Sequence, residues 1–127
     1  MRYMLLLYID RRPEPGTPEA DAAFREIAAF HAECRRRGVL VDSDPLHGPE
    51  SATTVRIRDG ETLHVDGPFA ETTEWLGGYF VIDCPSLDDA LEIAALCPTA
   101  RTGSVEVRPV VQIEARAREV DKRAAAG

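Results

Sequence analysis

Few side chains in this chain can do chemistry. The candidates are three histidines (His31, His47 and His64), three cysteines (Cys34, Cys84 and Cys97) and Asp66, an aspartate held at a stiff corner. Asp66 opens the tetrapeptide Asp66-Gly67-Pro68-Phe69 within the stretch DGPFAETTEWLGGYFVID. Pro68 fixes its own backbone and steers Gly67 away from the helical region. The Asp66 carboxylate is then either a turn brace, accepting hydrogen bonds from the following N–H groups, or a reacting group. His31 follows Ile27 by four residues and Phe24 by seven, which projects it beside the apolar face of a helix. An imidazole in that place is either a satisfied core residue or a proton-transfer group. No two histidines have the i, i+4 spacing that a helical metal site needs, so no metal is expected. The cysteines form no CxxC pair and read as reduced, buried thiols. The chain has no phosphate-binding glycine loop, no HExxH and no GxSxG, which leaves nucleotide, zinc-protease and serine-hydrolase chemistry without support; no cofactor is expected.

The elements that must position these groups belong to one domain, because 127 residues and 14.0 kDa suffice for a core without disulfides or metal. A net charge of -7 and a pI near 4.9 speak against phosphate backbones, so no nucleic-acid partner is expected. The longest apolar run, Met4 to Ile9, is too short to cross a membrane, and no leader pattern precedes it; the expected location is cytoplasmic.

Tyr3 to Ile9 is apolar without alternation, which predicts a central strand covered on both faces. Asp10 to Gly16 is a polar, proline-rich loop in which Arg11 and Arg12 are expected to be solvated. Thr17, Pro18 and Glu19 start a helix that should run to about Arg37, with Ala23, Phe24, Ile27, Phe30 and Cys34 on one apolar face and three arginines before Gly38. Val39 to Val41 reads as a short strand and Asp42 to Glu50 as a loop. Thr53 to Arg58, Asp59-Gly60 and Glu61 to Val65 predict a hairpin, with Arg56, Arg58 and His64 suited to one exposed or pocket-facing surface. A turn or short helix over Ala70 to Trp75 should lead into a second apolar strand, Leu76 to Cys84, beside the first. Ser86 caps a second helix, Thr99 to Gly103 is a loop carrying Arg101, and Ser104 to Ile113 is an edge strand because Pro109 cannot donate to a ladder. Residues 114–127 are a charged, alanine-rich tail.

This order predicts a βαββαβ plan with an inserted hairpin, two parallel central strands, and two helices on one face. The other face of so apolar a strand needs a cover. A second copy of the sheet is the simplest, which predicts a homodimer through sheet faces.

DGPFAET, LGGYFVID and SVEVRPV, together with MRYMLLLY, GVLV and ATTVRIRDG, resemble the DGPF branch of the YCII-related family over residues 1–113. The resemblance implies a ferredoxin-like α+β fold assembled as a dimeric α/β barrel, and little about substrate. In the YCII branch a helix histidine and an aspartate near the second strand are proposed as a catalytic dyad; the nearest matches here are His31 and Asp66. On that footing Asp66 would orient His31, an imidazole being suited to proton transfer near neutrality, on a small, largely apolar substrate. Tyr79 and Arg101 are available to polarise a substrate oxygen, and Trp75 with Tyr79 to wall a pocket. Two readings stand: a small dimeric enzyme of acid–base, lyase-type chemistry, or a non-catalytic ligand-binding or regulatory protein. The frequent position of DGPF genes beside extracytoplasmic-function sigma factors is what the resemblance offers the second.

Overall fold

In the computed structural model, which describes residues 1–127, the chain runs β1 (Arg2–Ile9), α1 (Pro18–Arg36), β2 (Leu40–Pro45), a 3-10 turn (Pro49–Ser51), β3 (Thr53–Arg58), β4 (Glu61–Asp66), β5 (Trp75–Asp83), α2 (Leu87–Ala95), α3 (Thr99–Thr102), β6 (Ser104–Pro109) and α4 (Ile113–Ala126). The fold is α+β, with a four-stranded sheet ordered β2-β5-β1-β6, and is consistent with a ferredoxin-like arrangement. The expected neighbours β1 and β5 are adjacent and central, and β6 is an edge, as Pro109 requires.

One expectation is corrected. The two central strands are antiparallel, with Leu5 opposite Phe80 and Tyr3 opposite Ile82. Helix α1 returns the chain over the sheet, so β1 and β2 point the same way with one strand's gap between them. β5 fills that gap in the opposite sense, antiparallel to both. Local sequence carries no record of strand direction, and the apolar runs alone had suggested a parallel pair.

The helices form where caps and faces agree. Thr17 accepts a hydrogen bond from the Ala20 N–H at 3.2 Å, Pro18 follows at the position where its missing N–H costs nothing, and Gly38 at φ +71° ends α1. Ser86 caps α2 in the same way, accepting from the Asp89 N–H. Both helices lie on one face, where Tyr3, Leu5, Leu7, Phe80 and Ile82 of the sheet meet Phe30 and Cys34 of α1 and Ala90, Ile93 and Ala94 of α2. Phe30 packs edge-on against Phe80, ring centroids 4.8 Å apart. Leu5, Ile82, Cys34 and Cys97 are sealed from solvent, and a large side chain so buried contributes on the order of 1.5–3 kcal/mol.

The opposite face of the sheet is different. Met4, Leu6, Tyr8 and Val81 alternate with the core residues and are only half-buried. β3 and β4 pair with each other and with no other strand, around a turn whose Asp59 and Gly60 both have positive φ. Every residue of both strands is exposed or nearly so, including Val55, Ile57, Leu63 and Val65. Pairing sets His64 opposite Val55, on the face away from Arg56 and Arg58, so the single surface expected for all three is not formed.

Three further boundaries move. β2 extends through Asp42, Ser43 and Asp44 to Pro45, as an edge strand whose polar residues read as a loop. Residues Thr99–Thr102 form the short helix α3 where a loop was expected. The last strand stops at Pro109 and residues from Ile113 are helical, forming α4, which buries none of its residues. Gly103, at the junction of α3 and β6, lies so close to β1 that a Cβ there would run into the carbonyl oxygen of Tyr8.

Candidate functional site

Helix α1 does not lie flat on the sheet. In its C-terminal half Phe30 and Cys34 are buried, while in its N-terminal half Ile27 is half-buried and Ala23 and Phe24 are exposed, Phe24 by 63%. Between that raised half and the sheet is a cleft of about 1110 Å³. Its apolar walls are Ala20, Ala23, Phe24 and Ile27 of α1, with Leu7, Ile9 and Phe80 of the sheet. The chain after β1 (Asp10 to Pro13), the end of β2 (Ser43 to His47) and α3 close its sides. A cleft of this size with mixed apolar and polar walls suits a small molecule.

Gly77 and Gly78 shape its floor. A Cβ on Gly78 would meet the backbone of Asp44 and Pro45 at 3.1 and 3.2 Å, so its absence lets β2 come close. Gly77 is the extra residue of a β-bulge, since Leu7 pairs with Gly78 and Tyr8 with Leu76.

His31 lines this cleft, one helical turn beyond Ile27, with its ring centroid 6.3 Å from that of Phe80. His47 lies on the opposite rim, exposed. Asp66 is elsewhere. It ends β4 in the separate two-stranded sheet, is exposed, borders no part of the cleft, and makes neither a hydrogen bond nor an ion pair with His31. The corner that follows it is anchored to its own hairpin, by the Gly67 N–H to the Ala52 carbonyl at 2.7 Å and by the Thr54 hydroxyl to the Gly67 carbonyl at 2.9 Å. Within one chain the expected pairing of Asp66 with His31 is therefore not assembled. The turn-brace alternative fails too in its detail: backbone groups and Thr54 hold the corner, with Gly67 at φ +101°, and the Asp66 carboxylate accepts no hydrogen bond.

The other expected site residues divide similarly. Tyr79 borders the cleft, but strand alternation turns its ring to the face away from Phe80, where its hydroxyl is shared between Asp42 (3.2 Å) and Asp44 (3.3 Å). Partial burial, and then the two carboxylates, push that phenol up from its ordinary pKa. Its proton is thus held by the sheet and is not offered to the cleft. Arg101 is on the outer side of α3, exposed, with Glu26 at 3.5 Å, and does not line the cleft. Trp75 opens β5, half-buried, and acts on the cleft through another residue: the Arg12 guanidinium carbon stands 5.2 Å from the centre of its ring. Arg12 is exposed, as expected, and is also tied to the cleft wall by that ring and by a 2.9 Å hydrogen bond to the Gly77 carbonyl. No local signal marks it, because its partners lie more than sixty residues away.

The three cysteines are free, buried thiols. Desolvation, and then the neighbouring Cys97, push Cys34 up to about 11, so it is no nucleophile near neutral pH. No group of three or more His, Cys, Asp or Glu residues is arranged to hold a metal. No helix is long and apolar enough to cross a membrane.

Comparison with known proteins gives a match to the YCII-related domain over residues 1–114. An uncharacterised protein from Rhizobium meliloti (strain 1021) is 39% identical over 114 residues, which covers 87% of this chain and 92% of that protein.

Proposed function

The chain belongs to the YCII-related domain family, and on that premise we propose that it binds a small, largely apolar molecule in the cleft beneath the raised half of α1. One observation carries this reading: an apolar helix face, Ala20 to Ile27, is held off the sheet over a cleft that also contains the single imidazole of α1. A helix that served only the core would also bury Phe24. Two imidazoles border the cleft, His31 on α1 and the exposed His47 on the opposite rim; His31, beside the apolar helix face, is the acid–base group proposed if turnover occurs. Asp66 makes no contact with it, and this favours ligand binding over dyad catalysis within one chain.

The protein is proposed to act as a homodimer that covers the second sheet face, in the manner of a dimeric α/β barrel. The support is the half-buried strip Met4, Leu6, Tyr8 and Val81 and the exposed Val55, Ile57, Leu63 and Val65 of a two-stranded sheet that is marginal alone. Buried, unpaired thiols suit a reducing, cytoplasmic setting.

Amide-detected NMR titration with a panel of small aromatic and aliphatic molecules tests the binding site. Shifts confined to Leu7–Pro13, Ala20–His31, Ser43–His47, Gly77–Phe80 and α3 are expected, and a panel that leaves all of these unmoved at millimolar concentration rules the cleft out. Should a turnover be found, His31→Ala is expected to remove it with folding intact, and Asp66→Asn to leave it within about threefold. Sedimentation of Leu6→Glu is expected to give a smaller particle than the native chain, and a native particle of one chain at micromolar concentration would end the dimer proposal.

A further inference from the structure

We infer that the molecule bound in this cleft carries a carboxylate, and that Arg12 receives it. The inference rests on the cleft being the binding site, as proposed above, and names the chemistry of its ligand.

Arg12 lies in a polar, proline-rich segment where an arginine would ordinarily be mobile. Here its guanidinium has two partners, with Cζ 5.2 Å from the centre of the Trp75 ring and Nη2 donating to the Gly77 carbonyl at 2.9 Å. That carbonyl belongs to the bulged residue of β5 and also accepts the Leu46 N–H at 2.8 Å. A Cβ on residue 77 would come within 2.8 Å of Ile9 Cδ1 and 3.3 Å of Arg12 Nη2, so the guanidinium occupies space that exists because residue 77 is glycine. Bulges of this kind re-aim groups beside binding sites.

The rest of the guanidinium fork has no partner, since no carboxylate lies within 4.0 Å of Arg12. The neighbouring charges are occupied. Arg11 pairs with Glu19 at 3.2 Å, Glu26 with Arg101 at 3.5 Å, and Asp44 accepts from Tyr79 at 3.3 Å. Asp10, also on the rim and unpaired, is exposed like Arg12, but no hydrogen bond orients its carboxylate. Arg12 is thus the oriented, unpaired charge of the cleft.

A planar fork held by an aromatic ring and by one carbonyl is organised in advance to take a planar carboxylate through two N–H donors. A phosphate dianion fits less well, because Arg11 is already neutralised and the chain's net charge is -7. The apolar part of such an acid would lie along Ala23, Phe24 and Ile27, and His31 lines the same space.

Three molecules of one shape test this: 3-phenylpropanoate, its neutral amide, and 3-phenylpropylamine, each titrated into the full-length chain while the backbone amides of the cleft and the Arg12 Nε–H resonance are followed by NMR. The acid is expected to bind at least about tenfold more tightly than the amide, to move the Arg12 resonance, and to weaken as salt is raised. In Arg12→Met the acid and the amide should bind alike, and Arg12→Lys should recover only part of the preference because an ammonium lacks the fork. If Arg12→Met does not fold, Arg12→Lys alone carries the comparison. Equal binding of acid and amide, tighter binding of the amine, or a preference for the acid that persists without Arg12 overturns the assignment while leaving the cleft as the binding site. Failure of all three to move any cleft amide overturns the assignment and the proposed function together.

Discussion

The two halves of α1 have the same kind of sequence and different surroundings. Both present apolar residues at helical spacing, yet Phe30 and Cys34 are buried while Phe24, one and a half turns earlier, is 63% exposed above the cleft. The C-terminal half is anchored because Phe30 meets Phe80 edge-on and Cys34 lies beside Cys97 in the sealed core. The N-terminal half is lifted because the strand ends beneath it, at Gly77 and Gly78, carry no side chains to pack against. An apolar stripe thus states that a helix has a partner, without saying whether that partner is protein or ligand.

The comparison can be broken first at the anchor. Phe30→Ala should cost about 3–5 kcal/mol of unfolding free energy, read from the urea midpoint. A loss under about 1 kcal/mol would mean that this half is not what fixes the helix. Alkaline pH probes the same half through Cys34. Its thiol is held up to about 11, against an ordinary 9.0, so the folded state keeps a proton that the unfolded chain releases. The corresponding stability is complete below pH 9 and is lost as pH rises to about 11, on the order of 2 kcal/mol. Cys34→Ala should therefore show a flatter loss between those pH values than the native chain, and parallel slopes would refute it. At the floor of the raised half, Gly77→Ala should cost no more than about 1 kcal/mol, because its Cβ meets the movable end of the Ile9 side chain at 2.8 Å, and should shift Arg12, 3.3 Å away, and with it weaken the preference for an acid. Phe24→Ala is the smallest perturbation and the sharpest contrast with Phe30. Stability should change by no more than about 0.5 kcal/mol, while the affinity for 3-phenylpropanoate falls severalfold. A large loss of stability would show that Phe24 is packed after all.

What could be read from the chain alone followed from local signals. Thr17-Pro18 and Ser86 marked helix starts, Asp59-Gly60 marked the hairpin turn, and the apolar runs at Tyr3 and Leu76 marked the central strands. What could not be read depends on distant partners. The antiparallel sense of β1 and β5 is decided by how many times the chain reverses between them, and the second half of β2 reads as a loop because an edge strand can tolerate Asp42, Ser43 and Asp44. In the candidate site His31 was legible as a margin residue of an apolar helix face, and Asp66 as a corner. That Asp66 ends a separate two-stranded sheet, away from the helix that carries His31, was not, since no periodicity tells which layer a hairpin joins. Arg12 escaped notice because everything that holds it, Trp75 and Gly77, comes from β5.

Gly103 carries a practical warning for any saturation mutagenesis of this chain. Its every replacement should fail, since even one methyl would wedge β6 away from the Tyr8 backbone, and the resulting dead column would look like the signature of an active centre. The position borders no part of the ligand cleft. Intolerance there would report a tight seam in the scaffold, and only measuring folded fraction beside activity would keep the two kinds of dead column apart.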